Sequence, residues 1–149
     1  MADLESIRAR IVEGRSLEDV LKSFDWKKFE GIVAQILEEN GFDVRKNVRF
    51  KTDRRYEIDV LGERNGTVLS IDCKDWSGGR YKKTALSRAA GRQAKRTTEL
   101  VKTGHIKGKT ISMLVTLFEE DIKQNDDVII VPVWKLNSFL NNELTNISN

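Results

Sequence analysis

The sequence is poor in the residues that mark several classes of protein. Its 149 residues include one cysteine, one proline and one histidine. The single cysteine, Cys73, excludes an internal disulfide framework and fits a reducing compartment, and a zinc site built from cysteine and histidine is not expected. No apolar run is long enough to span a bilayer, and residues 1–5 have neither a basic nor an apolar signal segment. We therefore expect a cytoplasmic protein without membrane-spanning segments.

Charge, by contrast, is abundant and unevenly distributed. Charged residues make up 33% of the chain and the formal net charge is +3, a composition typical of a globular domain. Residues 82–109 contain many lysines and arginines but only one acid, Glu99. Such a segment could follow a phosphate backbone, or it could be the solvated face of a helix, and composition alone leaves both interpretations open.

The hydrophobic pattern predicts an α/β domain with a mixed sheet. Helical spacing indicates helices at residues 4–14, 17–23, 26–40, 84–103 and 134–143, and extended patterns indicate strands at 42–51, 56–62, 67–74, 111–117 and 128–133. This order favours a central mixed β-sheet flanked by helices. We expect residues 1–24 to form a helical extension and residues 25–149 to form one globular unit.

The most specific local signal is the dipeptide Asn65-Gly66, which favours a two-residue type I′ turn. In that register Asp59 falls opposite Asp72 and Glu57 falls opposite Lys74. Because side chains alternate along a strand, one face of the hairpin should be apolar and the other polar. The apolar face would carry Ile58, Val60, Leu69, Ile71 and Cys73, and the polar face Glu57, Asp59, Ser70, Asp72 and Lys74.

Two facing carboxylates point to a bound cation. Like charges directly opposite one another destabilise a sheet, so either one of them holds a proton or a cation lies between them. Mg²⁺ prefers oxygen ligands and commonly uses one or two carboxylates together with water and phosphate. The backbone carbonyl of Cys73 is a further candidate ligand, and Lys74 lies within reach. The alternative is an ordinary exposed hairpin face with a Glu57–Lys74 surface salt bridge.

Residues 57–60 (EIDV) and 71–74 (IDCK) resemble the PD-(D/E)xK nuclease signature. An early helix with Glu30 and a later helix with Gln93 agree with that layout. The arrangement is similar to the Mrr-like restriction endonucleases and, more distantly, to the archaeal Holliday-junction resolvases. It departs from the usual pattern in having no proline before Asp59 and in having Asp72 where glutamate is common.

The resemblance implies a restriction-endonuclease-like sandwich and a metal-dependent DNA endonuclease of the restriction or defence type, using Mg²⁺ or Mn²⁺. Asp59 and Asp72 would bind the metal, with the Cys73 carbonyl and Glu30 as further ligands. Lys74 would orient or deprotonate the attacking water. The expected catalytic set is therefore Asp59, Asp72, Lys74 and Glu30.

The expected partner is DNA. Contacts to it are predicted for Gln93, Arg88, Arg92, Arg96, Lys82 and Lys83. Gln93 has an alternative, since it could be a buried glutamine satisfied by the backbone. Rival functions are a structure-selective junction resolvase, a non-catalytic DNA-binding module and an RNA-directed nuclease, and a minimal domain of this kind suits a homodimer or a subunit of a larger complex.

Overall fold

The computed structural model describes residues 26–74, 83–117, 122–125 and 127–144. The helices predicted at 4–14 and 17–23 lie outside these residues, so the helical extension over residues 1–24 stays a prediction. The helices are α1 (Trp26–Glu39), α2 (Lys83–Lys102) and α3 (Val133–Ser138), the last continuing as a π-helical turn (Phe139–Glu143). The strands are β1 (Asp43–Lys51), β2 (Arg55–Arg64), β3 (Thr67–Lys74), β4 (Lys109–Thr116), β5 (Lys123–Asn125) and β6 (Val128–Pro132).

The strands form one six-stranded mixed sheet in the order β1-β2-β3-β4-β6-β5. The first three strands are an antiparallel meander, β4 and β6 continue the sheet parallel to β3, and β5 pairs antiparallel with β6. Helix α2 makes the crossover from β3 to β4, which parallel strands require. The predicted mixed sheet flanked by helices is therefore confirmed.

Helices cover both faces of this sheet. On one face, apolar residues of α1 and α3 pack with Val60, Ile71 and Cys73. On the other face, Leu86 and Leu100 of α2 pack with alternate residues of the strands, such as Leu61, Val68 and Leu114. None of the described helices is long and apolar enough to cross a membrane. The near-continuous burial of β3 and β4 follows from this double cover.

The β2–β3 turn has the predicted conformation. Asn65 and Gly66 both have positive φ, 49° and 80°, as a type I′ turn requires. The ladder runs from Arg64–Thr67 to Val60–Ile71, which is the register predicted from a two-residue turn. This register places Asp59 and Asp72 at the open end of the hairpin.

The β2–β3 ladder ends at the pair Val60–Ile71, one pair before Asp59 and Asp72. In the predicted register, Cys73 would exchange backbone hydrogen bonds with Ile58, because hydrogen-bonded pairs recur at every second residue. Instead, the Cys73 N–H donates to Asp59 Oδ2 at 2.9 Å, and Ile58 packs with Leu61 and Val68 beneath α2. The prediction that Ile58 shares a face with Val60 and Cys73 is therefore wrong, since both ladders of β2 are interrupted at Asp59, whose side chain accepts the Cys73 N–H.

The distal end of the sheet depends on a close contact between two glycines. Gly108 has φ of 110°, and a Cβ atom there would collide with the carbonyl oxygen of Gly66. Lys109 N–H donates to that same oxygen at 2.8 Å. Gly108→Ala should therefore lower the free energy of unfolding by about 1–3 kcal/mol, because both the positive φ and the contact become strained.

Gly91 provides the matched control for this prediction. It is exposed within α2, and a Cβ atom there would meet nothing within 4 Å. Gly91→Ala should stabilise the protein by about 0.5–1 kcal/mol, because alanine restricts the unfolded chain and favours helix. Urea denaturation of both variants measures the two changes, and equal changes in the same direction would contradict the contact described at Gly108.

Candidate active site

The open end of the β2–β3 hairpin forms a polar cavity of about 470 Å³. It contains the predicted residues Asp59, Asp72 and Lys74, together with four basic or aromatic side chains from β2, the β1–β2 turn and α2. Its full lining is Arg54, Arg55, Tyr56, Glu57, Asp59, Asp72, Cys73, Lys74 and Arg96. The structure thus brings the central predicted residues to one site.

Asp72 is the most buried carboxylate of the cavity, with 6% of its surface exposed. Lys74 Nζ lies 3.2 Å from Asp72 Oδ2, and Arg96 Nη1 lies 3.7 Å from Asp72 Oδ1. Each oxygen of this carboxylate therefore faces a cation from the described part of the chain. Burying a carboxylate is costly unless it is paired, and these two cations provide that pairing.

Asp59 is partly buried and contacts Asp72 directly. Burial, together with a hydrogen bond to Asp72 and the negative charge of that residue, raises the pKa of Asp59 to about 7. The charge of Glu30 acts in the same direction, and the Cys73 N–H opposes it. Two carboxylates in this arrangement share either a proton or a cation.

Glu30 approaches the site from α1. It is buried, and Asn47 Nδ2 donates to Glu30 Oε2 at 3.3 Å. Within residues 26–74, 83–117, 122–125 and 127–144, no three Asp, Glu, His or Cys side chains are grouped so that they could bind one metal ion. The predicted role of Glu30 as a ligand, directly or through water, stays a prediction.

The Cys73 side chain lies on the opposite side of β3, in the core beneath α1. Burial and the nearby carboxylates raise the pKa of its thiol well above the usual value. A thiol in that environment stays protonated and is neither a nucleophile nor a metal ligand. The backbone carbonyl is thus the only group of Cys73 that fits the predicted role.

Gln93 is buried too deeply to make its predicted contact with DNA in this structure. It is fully buried, and its Nε2 donates to the Ser70 carbonyl at 2.8 Å and to Ser70 Oγ at 3.2 Å. Its Oε1 accepts from Arg96 Nη1 at 3.3 Å. Gln93 is therefore satisfied largely by β3, as in the alternative interpretation, and it reaches the cavity through Arg96 rather than by contacting DNA itself.

A buried hydroxyl network extends this arrangement across the α2–sheet interface. Thr97 Oγ1 donates to Ser70 Oγ at 2.9 Å and is 2.8 Å from Ser112 Oγ. Sequence reasoning missed this network, although the polar residues Gln93 and Thr97, four apart on the inward stripe of α2, were a signal for it. The network fixes the rotation of α2 and therefore the position of Arg96 beside Asp72.

The basic segment at residues 82–109 does not form one surface. Arg88 and Arg92 are exposed on α2, whereas Lys109 pairs with Thr67 beside the distal turn. That turn is about 16 Å from Asp72 along the strand, at 3.2–3.4 Å per residue. The side chains of Lys82 and Lys83 lie outside the described atoms, and the predicted phosphate contacts of Arg88, Arg92 and Arg96 stay predictions.

The raised pKa of Asp59 makes the stability of the metal-free protein depend on pH. An aspartate titrates near 3.8 in the unfolded chain and at about 7 here, so between these values the folded state binds more protons. The free energy of unfolding should therefore fall as the pH rises from about 4 to 7, by roughly 1–4 kcal/mol in total. Urea denaturation in EDTA across this range measures the slope.

Asp59→Asn is the control for this pH dependence. The amide oxygen can still accept from the Cys73 N–H, but the residue no longer titrates. The pH slope should then flatten between pH 4 and 7. Equal slopes for wild type and variant would mean that the proton is not held at the Asp59–Asp72 pair.

The sequence is similar to a known protein family and to an archaeal protein. Residues 21–117 match the family model Mrr_cat, described as restriction endonuclease. A protein of Archaeoglobus fulgidus, described only as uncharacterized, is 36% identical over 119 residues, which are 78% of this chain and 90% of the relative.

Two of the solved structures that resemble the chain are AF1548 and the small subunit of the restriction endonuclease R.BspD6I. AF1548, a protein of unknown function, matches with a TM-score of 0.50 and 26% identity. The match covers 65% of this chain and 50% of AF1548, so the chain spans about half of the length of that protein. The small subunit of the heterodimeric restriction endonuclease R.BspD6I has a TM-score of 0.58 and 15% identity, covering 87% of this chain and 82% of that subunit. The latter likeness is one of fold. From the family match and the carboxylate–lysine site together, the chain belongs to the Mrr-like restriction endonucleases of the PD-(D/E)xK nuclease superfamily.

Proposed function

We propose that the protein is a metal-dependent DNA endonuclease that hydrolyses phosphodiester bonds at the Asp59–Asp72–Lys74 site. The observation that carries this proposal is the contact between two carboxylates, Asp59 and the buried Asp72, beside Lys74. A protein that only bound DNA would gain nothing from two negative charges next to the phosphates. The Lys74 ammonium at 3.2 Å completes an acid–acid–lysine set suited to hydrolysis.

The donor set fits Mg²⁺ or Mn²⁺. Carboxylate and carbonyl oxygens are the ligands that these hard cations prefer, and Mg²⁺ commonly binds through one or two carboxylates and leaves its other positions to water and phosphate. Asp59, Asp72 and the Cys73 carbonyl would hold the ion, with Glu30 acting through water. When bound, the cation would lower the pKa of a water molecule and stabilise the leaving oxygen.

The protein side chains supply position and charge. Lys74 is ion-paired with Asp72, so its charged ammonium can orient the attacking water and offset the negative charge that grows on the phosphate. Arg96, half-buried and held by Gln93, adds a second positive charge on the other oxygen of Asp72. The water oxygen forms a bond to phosphorus while one ester P–O bond breaks. The water gives up a proton to the surrounding solvent, and the leaving oxygen takes up a proton to become a hydroxyl group.

The test is incubation with supercoiled plasmid, single-stranded DNA, a four-way junction and a structured RNA, each with Mg²⁺, Mn²⁺ or EDTA. We expect cleavage of plasmid in either metal and none in EDTA. Preferential cutting of the junction would favour the resolvase alternative, and preferential cutting of RNA the RNA-directed one. Binding of DNA without cleavage in any condition would contradict the proposal and support the binding-module alternative.

Plasmid products also report on assembly. A site of this kind cuts one strand at a time, so a monomer should nick the plasmid, whereas a homodimer or a larger complex should linearise it. We propose that the active form contains more than one such site. Linear product that appears only at high protein concentration, together with a dimer in analytical ultracentrifugation, would support this assembly.

A further inference from the structure

The β1–β2 hairpin concentrates positive charge next to the active-site cavity. Within residues 45–55 there is a single acid, Asp53. The cations of this stretch are Arg45, Lys46, Arg49, Lys51, Arg54 and Arg55. The hairpin is thus more densely basic than residues 82–109, and β1 is one of the two edge strands of the described sheet.

The position of this hairpin connects it to the site. Arg54 and Arg55 line the cavity that contains Asp59 and Asp72. A second depression of about 580 Å³ lies alongside it and shares Arg55 and Glu57 with the first. Arg49 and Lys51 line that second depression, so a path bordered by positive charge leads from the carboxylates along the edge of the sheet.

The acids along this path, Asp53 and Glu57, already have hydrogen-bond or ion-pair partners. Asp53 accepts from the Tyr56 hydroxyl at 2.8 Å, and Glu57 is paired with Arg49 Nε at 2.8 Å. Lys51 and Arg55, by contrast, form no ion pair with any of the described residues. Within the described part of the chain, two exposed cations are thus left facing solvent beside the cavity without a carboxylate partner.

The tip of the hairpin is held in place by the core. Thr52 Oγ1 donates to Glu99 Oε1 of α2 at 2.8 Å. Glu99 is only 3% exposed, and Lys102 Nζ lies 2.8 Å from its other oxygen. Lys102 and Thr52 accordingly lower the pKa of Glu99, so this carboxylate stays charged. The basic residues that follow Thr52 therefore start from a fixed position relative to α2.

We propose that the β1–β2 hairpin is the surface that binds the substrate DNA backbone, with Arg54 and Arg55 contacting phosphates next to the one being cleaved. Lys51 and Arg49 would contact phosphates farther along the strand. This proposal rests on the proposed DNA endonuclease function and names the surface that delivers DNA to that site. Such contacts position the backbone without reading its sequence.

The test is DNA binding measured by fluorescence anisotropy in EDTA, where cleavage plays no part. The probe is a labelled duplex of about 20 base pairs, titrated at several salt concentrations. For Arg54→Ala/Arg55→Ala we expect the affinity to fall at least about tenfold. The salt slope should decrease by about 1.8, at about 0.9 for each phosphate that is no longer neutralised. Arg54→Lys/Arg55→Lys keeps both charges and should retain most of the slope.

Two further variants separate this surface from general electrostatics. Lys107→Ala/Lys109→Ala removes the same charge at the distal end of the sheet and should change the affinity less than twofold. Thr52→Val keeps every cation but removes the tether to Glu99. We expect it to weaken binding about two- to fivefold, with thermal unfolding used to confirm that the fold is retained.

The outcomes distinguish the two proposals. If wild type binds and cleaves DNA but the hairpin variant binds as tightly as wild type, or loses no more affinity than the distal variant, the hairpin proposal is overturned while the endonuclease stands. If wild type binds DNA through the hairpin but cleaves nothing, the surface is supported and the endonuclease fails. If wild type does not bind DNA at all, both are overturned.

Discussion

Lys74→Ala should reduce the rate of DNA cleavage by about 10²–10³-fold while leaving the protein folded. The ammonium lies 3.2 Å from Asp72 Oδ2 at the rim of the cavity and is only partly buried, so its removal opens no void in the core. The attacking water would lose its orienting group, and the phosphate would lose a nearby positive charge. One such electrostatic interaction is commonly worth that factor in rate.

Plasmid cleavage at saturating Mg²⁺ measures this loss, and calorimetric titration with Mg²⁺ gives the metal affinity. The affinity should change little, because the carboxylates supply the ligands. Lys74→Arg, which keeps the charge on a larger head group, should retain more activity than the alanine variant. Full activity of Lys74→Ala would show that the lysine has no part in the reaction and would shift the role to Arg96.

Asp72→Asn should abolish cleavage and weaken metal binding together. The substitution removes one of the two carboxylates and keeps the shape of the side chain. It should also lower the pKa of Asp59 from about 7 towards the ordinary value, because the hydrogen bond to Asp72 and its negative charge both raise that pKa. The variant thus separates the electrostatic coupling of the pair from its packing.

Two measurements check this second prediction. Calorimetry should show a loss of Mg²⁺ affinity that Lys74→Ala does not share, and an NMR titration of the Asp59 carboxyl carbon in EDTA should show the lower pKa. If wild type, Lys74→Ala and Asp72→Asn bind metal equally and none cleaves any substrate, the site is not a nuclease centre. An unchanged pKa of Asp59 would mean that burial alone, without Asp72, sets its protonation.

Those parts of the fold that local chemistry specifies could be predicted from the sequence. The helix before Gly41, the type I′ turn at Asn65-Gly66 and the hairpin register all follow from patterns within a few residues, and the register placed Asp59 beside Asp72. The family resemblance then supplied the fold, which the sheet order confirms. Strand β5 was missed because three residues are too few to show periodicity.

What could not be predicted depends on side chains that meet only after folding. Ile58 turns away from Val60 because Asp59 takes the Cys73 N–H, and no alternation rule contains that competition. The position of Arg96 depends on Gln93 and Ser70 meeting across two elements. The tether between Thr52 and Glu99 joins residues 47 apart in the chain, so the basic hairpin could not be placed beside the site from its composition.

The bond between the Cys73 N–H and the Asp59 carboxylate has a consequence for observing this protein at work. The Cys73 amide is protected from exchange by a side chain and not by a neighbouring strand. Its exchange with solvent should therefore change when Asp59 gains a proton or rotates towards a ligand. The Cys73 amide is therefore a natural spectroscopic probe inside the site. Its chemical shift and its rate of hydrogen exchange should report the state of Asp59 without a probe attached to the protein, even in variants that do not cleave DNA.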